Sequence, residues 1–310
     1  MRKLILHIGS HKTGSTSLQI ALKKSDRTGG LSQWTYVRSR AQANFSHAVR
    51  IAGEGADMRA FIKPNYLRTY IPTEGDCLIS TEMMFWLDNA REVKKLSDIL
   101  HSIFDKIKII VYLRRQVDLA LSHRKQVIVG NPAQKFYGIQ VRALPIYRTH
   151  MLRYFDYASK ISMWEDAFGK SNVIVRRYQK QDLLDGNVVS DFYNIINVAR
   201  LKNAQHGNPA WPRSHLLTGL YLASKGFKEE SIKEVVKSLP NDGWLLPSQA
   251  EAREFMRPFR ASNAELARRY DSTGIVSYFS DDFDMFPERS NDDISDILPL
   301  IERVVASRCL

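Results

Sequence analysis

Cysteine is scarce in this chain: Cys77 and Cys309 are the only two among 310 residues, and they lie far apart. That leaves no disulfide framework and no metal-ligand spacing, and it fits a reducing compartment. Cys77 sits inside an apolar run and reads as packing rather than as a nucleophile. No run of eighteen apolar residues occurs, so no membrane-spanning helix is expected. The opening Met1-Arg2-Lys3 leads into a stretch too short, and with His7 too polar, for a signal segment. The expectation is a soluble, unprocessed, cytoplasmic protein that peripheral membrane contact would not contradict. Internal repeats, low-complexity tracts and clear linkers are also missing. The chain therefore reads as one domain over 1–310, with a core over about 1–200, a helical insertion or lid over about 131–160 and a helical C-terminal part over about 203–310.

Acidic residues are in deficit, 33 against 45 Lys and Arg, for a net charge of +12 and a pI near 9.6. An anionic ligand or partner is favoured. The basic residues are scattered rather than run together, so specific nucleic-acid binding is not expected, and those from Arg142 to Arg153 read as a solvated face that could also meet an acidic saccharide.

What is present is an alternation of short apolar runs and amphipathic stretches. Leu4 to Ile8, Cys77 to Thr81, Ile107 to Leu113 and Asn172 to Arg176 read as buried strands, with Trp34 to Val37 as a further one. Ser15 onward and Glu92 to Phe104 are helical in period, and the stretch after Arg115 follows with Val117, Ala120 and Leu121 inward. Ala41 to Tyr70 is mixed and reads as partly helical, with breaks at Pro64 and Pro72. Loop signals follow at Asn208-Pro209, Trp211-Pro212 and Pro240-Asn241-Asp242-Gly243. The fold class expected is α/β, a three-layer, P-loop-like arrangement of a central parallel sheet flanked by helices, with a mostly helical C-terminal part. Ligands then belong at the carboxyl ends of the strands, where Gly9 to Thr16, Glu82 and Arg114 all fall.

The first of these is the most informative. Gly9-Ser10-His11-Lys12-Thr13-Gly14-Ser15-Thr16 keeps the two glycines and the hydroxyl of a nucleotide loop, but Ser15 stands where the lysine should be and Lys12 lies inside the loop. Backbone amides from about Lys12 to Ser17, the positive end of the following helix and the hydroxyls of Ser15, Thr16 and Ser17 make an anion site. A metal-dependent kinase also needs an Asp at a neighbouring strand end to help hold Mg²⁺; one candidate strand ends at Thr81-Glu82 and the other at Arg114.

Lys12-Thr13-Gly14-Ser15-Thr16 resembles the 5′-phosphosulfate loop of the sulfotransferase family. Arg114 and Ser122 stand at the family's spacing for the residues that hold the donor's 3′-phosphate, and Arg177-Tyr178-Gln179-Lys180-Gln181-Asp182-Leu183 resembles a segment whose Tyr helps hold the nucleotide. The resemblance covers 4–22 and 107–125, extends to 164–192, and with Ser80-Thr81-Glu82 is similar to bacterial enzymes that often modify carbohydrates. It implies 3′-phosphoadenosine 5′-phosphosulfate as donor, adenosine 3′,5′-bisphosphate as product, no metal, and a carbohydrate or other hydroxyl acceptor. Lys12, Thr13, Gly14, Ser15, Thr16, Ser17, Arg114, Ser122 and Tyr178 would bind the donor, and Lys12 would stabilise the bridging oxygen. Glu82 is the first choice of general base, with His11, His47 and His123 as rivals. The competing readings are a P-loop kinase using Mg-ATP and a non-enzymatic, basic polyanion-binding protein.

Overall fold

A computed structural model describes residues 1–39, 44–130, 132–199 and 211–307. The loop signal at Asn208-Pro209 and the residue Cys309 lie outside these ranges. Seven strands are described: β1 (Lys3–His7), β2 (Trp34–Val37), β3 (Val49–Ala52), β4 (Arg59–Ile62), β5 (Asp76–Ser80), β6 (Lys106–Leu113) and β7 (Val173–Arg177). Five of them form a parallel sheet in the order β2-β5-β1-β6-β7. β1 is central, paired through Leu4 with Cys77 on one side and Ile107 on the other.

Both faces of this sheet are apolar, which is why its strands read as continuous hydrophobic runs rather than alternating ones. Leu4, Leu6, Ile79, Ile109 and Val111 point into one buried cluster, and Ile5, Leu78, Ile110 and Tyr112 into another. The second face is covered by α1 (Ser15–Arg27) through Leu18 and Leu22, together with Val189 and Phe192 from the later helix 188–195. Next in order come α2 (Pro64–Tyr70) and α3 (Ala90–His101); the latter puts Val93, Leu96 and Leu100 into the first cluster. α4 (Gln116–Ile128) adds Val117, Ala120 and Val127.

The stretch 44–70 is partly helical, in α2 and two short 3₁₀ turns, and also holds two strands that the sequence reading did not include. β3 and β4 form a two-stranded antiparallel sheet, and Ile62 N–H donates to the α3 carboxylate Glu92 Oε2 at 2.8 Å. Pro64 does not break a helix but opens α2, where its missing N–H is one that has no intrahelical partner anyway.

The 131–160 stretch holds α5 (Pro132–Tyr137), α6 (Leu152–Phe155) and the start of α7 (Tyr157–Phe168), with no regular element over 138–148. Tyr154, Phe155 and Tyr157 of this stretch are among the most deeply buried side chains. Of the basic residues here, Arg142 pairs with Glu251 and Arg153 with Asp88. After α8 (Val188–Ile195) the described chain is helical in α9 (Arg213–Ser224), α10 (Glu229–Val236), α11 (Gln249–Met256), α12 (Arg260–Tyr270) and α13 (Leu298–Ser307). α9 lies so close to α4 that a Cβ on Gly219 would fall 2.6 Å from Ile128 Cδ1. The architecture is thus an α/β fold with a central parallel sheet flanked by helices and a helical C-terminal region. Among the described residues no helix is long and apolar enough to cross a membrane.

One buried network ties the sheet to α8. Asp191 accepts from Tyr112 Oη at 2.8 Å and from Arg176 Nε at 3.0 Å, and its other oxygen receives Leu184 N–H at 3.2 Å. Asp191→Ala leaves the other partners without their acceptor, and chemical denaturation should show a loss of about 2–4 kcal/mol; a loss under about 0.5 kcal/mol, the range of an ordinary surface substitution, would show that the network does not hold α8 in place.

Candidate functional site

The chain leaving β1 turns toward β2, whereas the chain leaving β6 continues toward β7. The crevice at this change of direction, beside the carboxyl ends of β1 and β6, is where an open α/β sheet binds ligands. The loop after β1 stays attached to β6 through Ile8 N–H to Ile110 O (3.0 Å) and Ser10 N–H to Tyr112 O (2.7 Å).

Three residues of this loop adopt left-handed backbone: Gly9 (φ 74°), Lys12 (φ 60°) and Gly14 (φ 76°). The glycines are required by contact as well as by φ. A Cβ at Gly9 would meet Glu82 Cβ at 2.8 Å, and one at Gly14 would meet Val188 Cγ1 at 2.7 Å and Tyr178 Oη at 3.4 Å. Lys12 holds the same conformation with a side chain, at a cost of about 1–2 kcal/mol. The surroundings hold it there, because Arg114 Nη1 donates to the Lys12 carbonyl at 3.0 Å and Thr13 Oγ1 donates to Ser10 O at 2.7 Å.

The α1 N-terminus that follows has no side-chain cap and no acidic residue in its first turn. Ser15 Oγ is buried there without a hydrogen-bond partner among the described residues, whereas Thr16 is exposed and Ser17 half-buried. Thr13 differs from the other hydroxyls, since its Oγ1 already serves the Ser10 carbonyl and leaves only its amide for a ligand.

Around this terminus the structure gathers residues from four strand ends. Arg114 follows β6, its guanidinium 5.9 Å from the Tyr178 ring, and Tyr157 Oη donates to its carbonyl at 2.9 Å. Tyr178 follows β7, and its amide bonds Leu113 O at 2.8 Å. Glu82 follows β5 and opens a short 3₁₀ turn, Glu82–Trp86. Ser122 is half-buried on α4, two turns beyond Arg114. Lys12 is pushed below the ordinary lysine range by burial, then by Arg114 and Lys125, with Glu82 acting the other way.

The rival bases separate clearly. His47 belongs to a 3₁₀ turn, Ser46–Ala48, against the Tyr66 ring. His11 and His123 lie below the loop with ring centroids 5.4 Å apart. His11 Nδ1 is 2.7 Å from Tyr154 Oη, His123 Nδ1 is 2.9 Å from Tyr137 Oη, and Trp86 packs on both. Burial depresses His11 to about 3, aided by Lys12 and Lys160, and holds His123 well below the usual range. His7, buried 2.8 Å from Ser80 Oγ, is likewise lowered to about 3. In all three, burial favours the neutral imidazole.

Sequence reasoning missed Gln19. Buried on α1, it donates from Nε2 to Glu82 Oε2 at 2.7 Å and to Ser80 Oγ at 3.4 Å, fixing the carboxylate against the loop. The signal available was its place one turn after Ser15 and next to the inward Leu18. Val188, which walls Gly14, gave none.

No family model matches the sequence. An uncharacterized protein of Archaeoglobus fulgidus is 29% identical over 215 residues, 63% of this chain and 54% of its own, so the chain spans about half the length of that relative. A sulfotransferase from Alicyclobacillus acidocaldarius overlaps 74% of this chain and 98% of its own, at a TM-score of 0.37 and 16% identity. A mouse sulfotransferase complexed with PAP overlaps 99% and 82%, at 0.28 and 13%. Overlap at these TM-scores says nothing about the chemistry of this site.

Two outcomes test this geometry. Gly9→Ala should destabilise the protein by about 2–4 kcal/mol, from strain plus contact with Glu82, whereas Gly29→Ala, equally left-handed but with open space around it, should cost about 1–2 kcal/mol. Equal melting temperatures for the two variants would contradict the close approach at Gly9. The depressed histidines set the acid limb of stability. Between about pH 6.5 and 3 the unfolded chain binds more protons, so stability should fall with pH by up to about 1.4 kcal/mol per unit for each of His7 and His11. A flat thermal-melt profile between about pH 6.5 and 5 would show that these rings are hydrated.

Proposed function

We propose that the chain is a sulfotransferase that moves a sulfuryl group from 3′-phosphoadenosine 5′-phosphosulfate to a hydroxyl of a carbohydrate or related acceptor. The observation that carries this reading is the meeting of Lys12, Arg114, Tyr178 and Glu82 around one uncapped helix N-terminus. The orphaned Ser15 hydroxyl and the side-chain-free cradle at Gly14 fit a phosphate group.

In this reading the Lys12 amide and ammonium, the amides of Thr13 to Ser17 and Ser15 Oγ hold the 5′ side of the donor. Arg114 and Ser122 hold the 3′-phosphate, and Tyr178 borders the nucleotide. The bound donor supplies an activated sulfuryl group. Glu82, steadied at Oε2 by Gln19, accepts the acceptor's hydroxyl proton with its other oxygen as the new S–O bond forms. Lys12 stabilises the negative charge left on the departing bridging oxygen as the old S–O bond breaks. A sulfuryl group carries less charge than a terminal phosphoryl group, so these cations and amides suffice for it. Exposure supports Glu82 over two of its rivals, since Glu82 is half-buried beside the loop while His11 and His123 are buried and committed to tyrosines; the exposed His47 sits instead on the 3₁₀ turn before β3.

Calorimetric titration should detect adenosine 3′,5′-bisphosphate, and ATP with Mg²⁺ should bind more weakly; the reverse order would favour the kinase reading. Lys12→Ala should lower transfer at least about 10²-fold. Arg114→Ala should weaken bisphosphate binding by about 10- to 100-fold. Glu82→Gln should lower kcat by about 10²- to 10⁴-fold with bisphosphate affinity unchanged, and Gln19→Ala should lower kcat by a smaller factor without raising the bisphosphate Kd. Full turnover in Glu82→Gln would remove the base from this position.

A further inference from the structure

In an in-line displacement the attacking and leaving oxygens stand on opposite sides of the transferred group. Here Gly14, Arg114 and Tyr178, the groups assigned to the nucleotide, lie over the ends of β1, β6 and β7, whereas Gly9 and Glu82 meet over β1 and β5. The strand beyond β5 is β2. An acceptor that reaches Glu82 from the side away from the nucleotide therefore passes over the carboxyl ends of β5 and β2.

Two cations stand on that path. Val37 closes β2 opposite Ile79, and the alternation that puts Tyr36 on the α1 face and Val37 on the other returns Arg38 to the α1 face, beside Ser80 and two residues before Glu82. Lys23 comes from α1 itself. Gln19 of that helix bonds Glu82, and Asp26 accepts the Tyr36 N–H at 3.1 Å, so Lys23, between them at helical spacing, lies along the same flank. Ser25 marks the other flank, where it meets Tyr193 Oη of α8 at 2.7 Å.

Protein acids do not match these cations. Both are half-buried, and neither makes an ion pair among the described residues, whereas Arg142, Arg153, Arg176 and Arg177 each pair with a carboxylate. Arg38 Nε is enclosed without a hydrogen-bond partner, a rare state for a buried donor. Burial raises the Tyr36 phenol, Glu82 adds to that and Arg38 opposes it, so the phenol lies within reach of both charges. An acceptor with its own carboxylate would be repelled by Glu82 alone, and the two cations offset that repulsion. A neutral acceptor would leave both unpaired.

Resting on the sulfuryl-transfer reading, we infer that Arg38, with Lys23 beside it, selects the acceptor: a hydroxyl compound that carries a carboxylate close to the hydroxyl facing Glu82. The planar guanidinium fork matches the carboxylate, and Lys23 adds a second charge. Both are specificity residues, and neither is assigned to the donor.

Calorimetry on the full chain, saturated with adenosine 3′,5′-bisphosphate, compares phenyl β-D-glucuronide with its neutral uronamide, which offers the same hydroxyls without the charge. The glucuronide should bind at least about tenfold more tightly, a preference that shrinks as salt rises. Arg38→Gln should abolish the preference with the Kd values of the amide and the bisphosphate unchanged, Arg38→Lys should retain part of it, and Lys23→Gln should reduce it by a smaller factor. A merely structural Arg38 would affect all three ligands together. Weakened amide or bisphosphate binding in Arg38→Gln would therefore overturn the inference, as would equal binding of the two probes by the wild-type chain, a salt-independent preference, a preference retained in Arg38→Gln, or bisphosphate binding with neither probe bound. Failure of the wild-type chain to bind the bisphosphate would instead remove the sulfuryl-transfer reading, and the same pair titrated without nucleotide would then decide whether Arg38 selects the anion.

Discussion

The approach of the loop to the end of β5 is the constraint on which the site depends. Gly9 and Glu82 come so close that a single added carbon at position 9 would overlap the Glu82 side chain. Parallel pairing of β1 with β5 brings the two strand ends level, and Thr81 N–H to His7 O carries that pairing one step past the strand. A carboxylate and an anion-binding loop, from segments distant in sequence, thus share a boundary at van der Waals distance. Gln19, rooted in the helix the loop opens, then ties the carboxylate to the loop's own element.

The electrostatics follow from this geometry. Arg114 and Lys125 both act on Lys12, and Glu82 is the carboxylate acting on it, so more positive than negative charge bears on the loop lysine. Beneath it the protein places aromatic packing. It packs neutral His11 and His123 among Trp86, Tyr137 and Tyr154, and a buried Lys160, held by Leu87 O and the Phe85 ring, adds to the pressure against protonating His11. Low polarity below the loop strengthens the field that a bound anion would feel.

Much of this was legible in the sequence where one physical rule governs. β1, β5 and β6 are buried on both faces, and continuous apolar runs between glycines and charges express that. The loop was legible because only glycine accepts both a left-handed backbone and the contacts at positions 9 and 14. The β3–β4 hairpin was not, because two four-residue strands with one face half in solvent leave too short a pattern to distinguish from a helix turn. The direction of the Thr13 hydroxyl was also hidden, since a hydroxyl next to a phosphate-type loop reads the same whether it faces ligand or backbone. Gln19 looks like a surface residue until Glu82 is placed beside it.

Arg114 has a double commitment that bears on what could replace it. One arm of its guanidinium fork shapes the loop by holding the Lys12 carbonyl, and the remaining donors are left for whatever enters the crevice. A lysine there would keep the charge but lose the fork, and its single ammonium would have to choose between templating the loop and gripping a ligand. The exchange usually counted as conservative would therefore cost this position one of its two jobs.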